Sequence, residues 1–98
     1  MTFGELKQIC DKANGQLFVK SNKYTDKVYL YYCRDDEQEV WITIDNFEGE
    51  PISETAKEIC INLSDAKDTD VVKVLYTDTL ADIIDAKIEN GDVYLYTE

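Results

Sequence analysis

Two rhythms of hydrophobic and polar positions run along the chain, and they assign most of its elements. In "TFGELKQICDKANG", Phe3, Leu6, Ile9, Cys10 and Ala13 recur at helical spacing. Thr2 and Glu5 form a capping box ahead of them, and Asn14-Gly15 reads as a left-handed stop. "QLFVK" then reads as a strand. Beyond a polar turn at "SNKYTD", the runs "KVYLYYC" and "EVWITID" alternate with a period of two. The loop "RDDEQ" joins them as a hairpin. "VVKVLY" and "DVYLY" read as two further strands.

Two segments need a decision. In "PISETAKEICINLSD", Ala56, Ile59, Cys60 and Leu63 fit a helix capped by Ser53 or Thr55, while Ile59, Ile61 and Leu63 also alternate as a strand would. The helix is the preferred reading. In "TDTLADIIDAKIENG", Leu80, Ile83, Ile84 and Ile88 share a helical face, with Thr79 as cap and Asn90-Gly91 as stop. The two chain ends, Thr2 to Val19 and Thr79 to Tyr96, then share a pattern that good capping explains better than duplication.

The resulting order, α-β-β-β-(α or β)-β-α-β, predicts one α+β domain over residues 1–98. Its expected form is a single mixed or mostly antiparallel sheet of about five strands, with two or three helices packed on one face. The segment from Val71 through the last helix to Tyr96 is long enough for a right-handed crossover between parallel strands. Alternation puts Val28, Leu30, Val40, Ile42, Ile44, Val93 and Leu95 under the helices. Tyr29, Tyr31, Trp41, Tyr94 and Tyr96, joined by Phe18, then form the second face.

Charge changes the picture more than composition does. Hydrophobic residues at 44% can support a core without staples. The chain carries 21 acids against 10 bases, a net charge of −11. Residues 1–25 net +2, from Glu5 and Asp11 against Lys7, Lys12, Lys20 and Lys23, so the remainder is strongly acidic. Such a field repels phosphates and attracts basic surfaces, which argues against direct binding of nucleic acid or an anionic membrane.

On the expected last helix, Asp78, Asp82, Asp85 and Glu89 fall at i, i+4, i+7 and i+11. They would occupy a sector of about 60° opposite the apolar face, one acid per turn. Like-charged i,i+4 pairs are unfavourable, so a partner's cations are the expected countercharge. Asp35, Asp36 and Glu37 form a second acidic patch; Glu48, Glu50, Glu54 and the Asp65–Asp68–Asp70 loop are further acids. Lys87 is expected to lie along the apolar side of the helix.

Much chemistry is missing from the sequence. Histidine is absent, which removes the commonest general base and metal ligand. The four glycines are scattered, so no phosphate-cradling loop forms. "DAKDTD" offers Asp65, Asp68 and Asp70 but lacks the glycine and closing glutamate of an EF-hand. Cys10, Cys33 and Cys60 show no C-x-x-C spacing and read as reduced thiols of a cytoplasmic protein. The stretch "MTFGELKQIC" does not read as a basic-then-apolar leader and no apolar run approaches about 18 residues, so neither secretion nor membrane spanning is expected. Neither a catalytic residue, a cofactor nor a metal is therefore expected.

The function expected from these features is non-enzymatic: an acidic protein that occupies a basic partner surface. In size and composition alone it is similar to small phage- or mobile-element-type inhibitors that mimic nucleic acid and block nucleic-acid-binding enzymes. The alternative is a small adaptor or structural domain that associates through the aromatic face of Tyr29, Tyr31, Trp41, Tyr94 and Tyr96, or through a strand edge, including as a homodimer.

Overall fold

A computed structural model describes residues 1–22, 24–45 and 49–97. Lys23, one of the lysines of the basic N-terminal segment, and Glu48, one of the further acids, lie outside the described residues. The elements are α1 (Phe3–Cys10), β1 (Leu17–Lys20), β2 (Thr25–Lys27), β3 (Leu30–Arg34), β4 (Glu39–Thr43), α2 (Ala56–Asn62), β5 (Val71–Tyr76), β6 (Thr79–Asp82), β7 (Asp85–Glu89) and β8 (Asp92–Tyr96).

The α+β class holds, with two helices and two four-stranded mixed sheets in place of the single sheet of about five strands. The terminal sheet has the order β2-β1-β8-β7 and the central sheet β3-β4-β5-β6. Each is a parallel pair flanked by antiparallel edges: β1 lies parallel to β8, and β4 parallel to β5. The extra strands come from two places. Thr25–Lys27, which spans the end of the expected polar turn and the first residue of the expected next strand, pairs antiparallel with β1. The expected helix over residues 79–90 is instead the two strands β6 and β7.

Asn90 and Gly91 explain that second difference. Both have positive φ, 53° and 86°, and they close the β7–β8 hairpin between the paired residues Glu89 and Asp92. Asn-Gly is the favoured pair for such a two-residue turn, so the same dipeptide that can stop a helix here joins two strands. Of the four apolar residues that would have lined the helix, only Ile83 is buried, while Leu80, Ile84 and Ile88 are exposed. The crossover from Val71 to Tyr96 is likewise absent, because β5 and β8 belong to different sheets.

The segment that fitted both helix and strand is helix α2. Thr55 accepts from the Glu58 amide at 3.1 Å, and Glu58 reaches back to the Thr55 amide at 2.8 Å. The same capping box, Thr2 with Glu5, opens α1. Gly15 does not supply a left-handed stop, since its φ is not among the positive ones. It is required by space: a Cβ there would strike the Asp92 carboxylate and meet the Gly91 carbonyl at 2.8 Å.

These boxes mark a correspondence between two α-β-β-β-β halves, in a different phase from the one the chain ends suggested. Leu17 and Val19 of β1 lie beside Val93 and Leu95 of β8. Val72 and Val74 of β5 lie beside Val40 and Ile42 of β4 in the same way. The chain crosses between sheets at Val28–Tyr29 and again at Ile83–Ile84, and Val28 and Ile83 are both buried. The loop after each helix accepts from the first turn of the other: Ala56 donates to the Gly15 carbonyl at 2.9 Å, and Gly4 to the Asp68 carbonyl at 3.0 Å. Each sheet thus takes one hairpin from each half.

The core is formed by the inward rows of both sheets with Phe3, Leu6 and Cys10 of α1 and Ala56 and Ile59 of α2. Fully burying a Val, Leu, Ile or Phe side chain stabilises by about 1.5–3 kcal/mol. The outward faces of both sheets are left for other uses.

Candidate functional site

The outward face of the central sheet follows from strand register. One row across it is Leu30–Thr43–Leu75–Leu80, and the next is Tyr32–Trp41–Lys73–Asp82. Arg34, Glu39 and Val71 form a third row at the β3–β4 turn end. Leu30, Val71 and Leu80 are 45%, 38% and 37% exposed, so apolar surface is presented to solvent rather than sealed. Thr43 is buried in this face, with no hydrogen-bond partner for its hydroxyl among the described residues.

Trp41 is held in place from several sides. Its indole Nε1 donates to Glu39 at 2.8 Å, the Arg34 guanidinium lies 4.3 Å from its ring centroid, and Tyr32 packs tilted against it at 5.9 Å. The hydrogen bond from Trp41, with the Lys73 ammonium, holds the Glu39 carboxyl below its usual range. Lys73 pairs with Glu39 at 3.3 Å and with Asp82 at 3.7 Å, and these partners raise its own pKa.

Carboxylates stand at both ends of this face. Asp35, Asp36 and Glu37 occupy the β3–β4 turn and are exposed. Asp36 pairs with Arg34 at 3.5 Å, and Asp35 accepts from the Cys33 thiol at 3.1 Å. Burial, then the hydrogen bond to Asp35 and the charges of Asp35, Asp70 and Asp65, push the Cys33 thiol up to about 11. At the opposite end Asp78 lies exposed in the β5–β6 turn, and Asp45 accepts from the Thr77 amide at 2.6 Å.

The four acids of the expected helical row are dispersed. Asp78 and Asp82 border the central sheet, whereas Asp85 and Glu89 stand at the two ends of β7 in the terminal sheet. The physical reason is the strand crossing at Ile83–Ile84, which carries the chain from one sheet to the other. Asp82 also has a cation of its own, Lys73. The row of one acid per turn therefore does not exist.

The five-residue aromatic face is divided too. Tyr29 sits at the first strand crossing, and its amide donates to the Thr43 carbonyl at 2.9 Å. Tyr31 shares the inward row with Ile42; its hydroxyl donates to Glu54 at 3.2 Å and accepts from Asn62 at 2.9 Å. Burial raises its pKa. Leu30, expected under the helices, points outward instead. The chain changes sheets just before it, so the alternation counted from Val28 does not carry through. Of the five, Trp41 remains on the central face, and Tyr94 and Tyr96 on the terminal one.

On the terminal sheet the outward rows are Lys27–Phe18–Tyr94–Lys87 and Thr25–Lys20–Tyr96–Asp85. Phe18 and Tyr94 stack at 5.3 Å, Lys20 lies over both Tyr94 and Tyr96, and Lys87 lies over Tyr96 at 5.4 Å. Lys87 thus faces aromatic rings on a solvated face, not a helix's apolar side. In a chain of net −11, this is where cations gather.

The Asp65–Asp68–Asp70 loop does not converge on an empty centre. Asp70 is buried and accepts from the Lys67 amide at 3.0 Å, while Asp68 pairs with Lys7. Among the described residues, no three Cys, Asp or Glu side chains are arranged to hold a metal ion. No helix among the described residues is long and apolar enough to cross a membrane. Compared with known proteins, the chain matches no family model, no curated protein and no solved structure.

Proposed function

We propose that this chain is a non-enzymatic binding protein that docks on a basic partner surface through the outward face of its central sheet. The observation that carries the reading is the coincidence of two features on one face. Trp41, Tyr32, Leu30, Leu75 and Leu80 supply an aromatic and apolar centre, and Asp35, Asp36, Glu37, Asp78 and Asp82 surround it. Association energy concentrates in buried aromatic and arginine anchors, while rim charges govern encounter rate and salt dependence. A nucleic-acid-binding enzyme, whose groove is lined with lysine and arginine, is the partner class that fits both features. The acids act as a rim around an anchor, not as a linear copy of a phosphate backbone.

The test is retention of native partners on the immobilised chain at low salt. Trp41→Ala is expected to weaken retention at least tenfold, and moderate salt to release what the wild-type chain holds. Equal retention by Trp41→Ala and wild type would remove the central face as the site.

A second reading is favoured by one observation, the clustering of Lys20, Lys27 and Lys87 among Phe18, Tyr94 and Tyr96. This face is complementary to the acidic surface of a second copy, giving self-association through the terminal sheet. Sedimentation equilibrium tests it: Tyr94→Ala is expected to shift the chain to monomer, and a wild-type chain monomeric at all concentrations would dismiss it.

A further inference from the structure

A pair of thiols lies between the two helices, one from each half of the chain. Cys10 ends α1 and is 1% exposed, while Cys60 lies in α2 and is half-buried. Their relative position is set at both ends of the helix pair. Gly4, in the first turn of α1, donates to the Asp68 carbonyl beyond α2; Ala56, in the first turn of α2, donates to the Gly15 carbonyl beyond α1. The helices therefore run antiparallel, and the last turn of α1 lies alongside α2. Both cysteines line one groove of about 580 Å³, together with Lys7, Lys57, Asp11 and Asp68. Cys10 meets this groove from the core, and Cys60 meets it from the solvent side.

The two thiols are neighbours but not equivalent. Interaction with Cys10, and then the charge of Lys7, lower the pKa of Cys60; the same interaction and burial keep the proton on Cys10. The thiolate is the reactive form, and an accessible thiolate beside a second thiol is the arrangement that closes a disulfide. We infer that Cys10 and Cys60 form a peroxide-responsive redox site, in which Cys60 is oxidised first and Cys10 closes a disulfide onto it. The Cys60 thiolate attacks one oxygen of hydrogen peroxide, the O–O bond breaks, and a sulfenic acid and hydroxide result. The Cys10 sulfur then displaces the sulfenic hydroxyl, which leaves as water with the Cys10 proton, and the S–S bond forms. The two sulfurs give up two electrons in all, and the peroxide leaves as water and hydroxide. The bond ties α1 to α2, and a thiol reductant reverses it. Cys33 takes no part, since it lies on β3 against Asp35 and Asp70.

Hydrogen peroxide added to the purified chain, followed by alkylation and peptide mass spectrometry, tests the site. The wild-type chain is expected to give one cross-link, between the Cys10 and Cys60 peptides, two hydrogens lighter than the separate peptides and removed by dithiothreitol. Cys33→Ser should leave its yield unchanged. In Cys10→Ala the sulfenic acid has no thiol to resolve it, so dimedone should label Cys60. Cys60→Ser should abolish the cross-link and leave Cys10 reduced; because Cys60 is half-buried, this variant remains informative if Cys10→Ala fails to fold. A cross-link through Cys33, a disulfide only between two copies, further oxidation of Cys60 with Cys10 left reduced, or no reaction would each overturn the site. Both cysteines lie on the helices, away from the outward sheet faces, so the docking readings stand or fall separately by their own variants.

Discussion

Gly15 and Gly91 are both glycine for backbone reasons, but the reasons differ and so do the consequences of adding one methyl group. At Gly15 the obstacle is neighbouring atoms, the Asp92 carboxylate and the Gly91 carbonyl. At Gly91 the space is open and only the φ of 86° opposes a side chain. In urea unfolding, Gly15→Ala should cost about 1–3 kcal/mol, since the interleaved loops must part. Gly91→Ala should cost about 1 kcal/mol through backbone strain alone. The thiols differ in a similarly local way. Cys60 is lowered by its interaction with the neighbouring Cys10 thiol, with Lys7 assisting, while that interaction and burial raise Cys10 itself. Cys33 keeps its proton up to about 11, so iodoacetamide at pH 8 should modify Cys60 first and Cys33 only slowly, as peptide mass spectrometry would show. The folded state holds the Cys33 proton more tightly than the unfolded chain does. Its contribution to stability is therefore complete below the usual thiol value of 9.0 and lost as pH rises through about 11.

At the scale of elements, the sharpest contrast lies between neighbours. On a helix over residues 79–90, Ile83 and Ile84 would both face the core; in the strand crossing, Ile83 is 6% exposed and Ile84 66%. Ile83→Ala should destabilise by about 2–4 kcal/mol and Ile84→Ala by under about 0.5 kcal/mol, measured by thermal or urea unfolding. Both helices, the β3–β4 hairpin, β1, β5 and β8 were legible in the sequence, because caps and alternation are local signals. The β6–β7 pair was not. Four apolar residues at helical spacing and an Asn-Gly stop satisfy both structures over that stretch, and pairing with β5 and β8 decides between them. β2 was hidden for a related reason: three polar residues carry no hydrophobic rhythm, and only pairing with β1 makes them a strand.

The whole molecule shows why the candidate site was only half visible beforehand. Trp41 and the Asp35–Asp36–Glu37 turn could be identified as separate features, yet their shared face depends on register between strands distant in sequence. Net charge was legible at once and bears on the proposed docking: with −11 on 98 residues, a cationic surface is favoured at a range set by the Debye length, about 8 Å at physiological salt. The strand crossing at Ile83–Ile84 separates acids that adjoin in sequence, leaving Asp78 and Asp82 with the central sheet that carries Trp41 and sending Asp85 and Glu89 to the other sheet. Charge reversal in pairs, read as affinity for a retained basic partner, tests that division most directly. Asp78→Lys with Asp82→Lys should abolish salt-sensitive binding, and Asp85→Lys with Glu89→Lys should leave it within about twofold. Equal loss from both pairs, as a continuous row of acids would produce, would contradict the docking face described above.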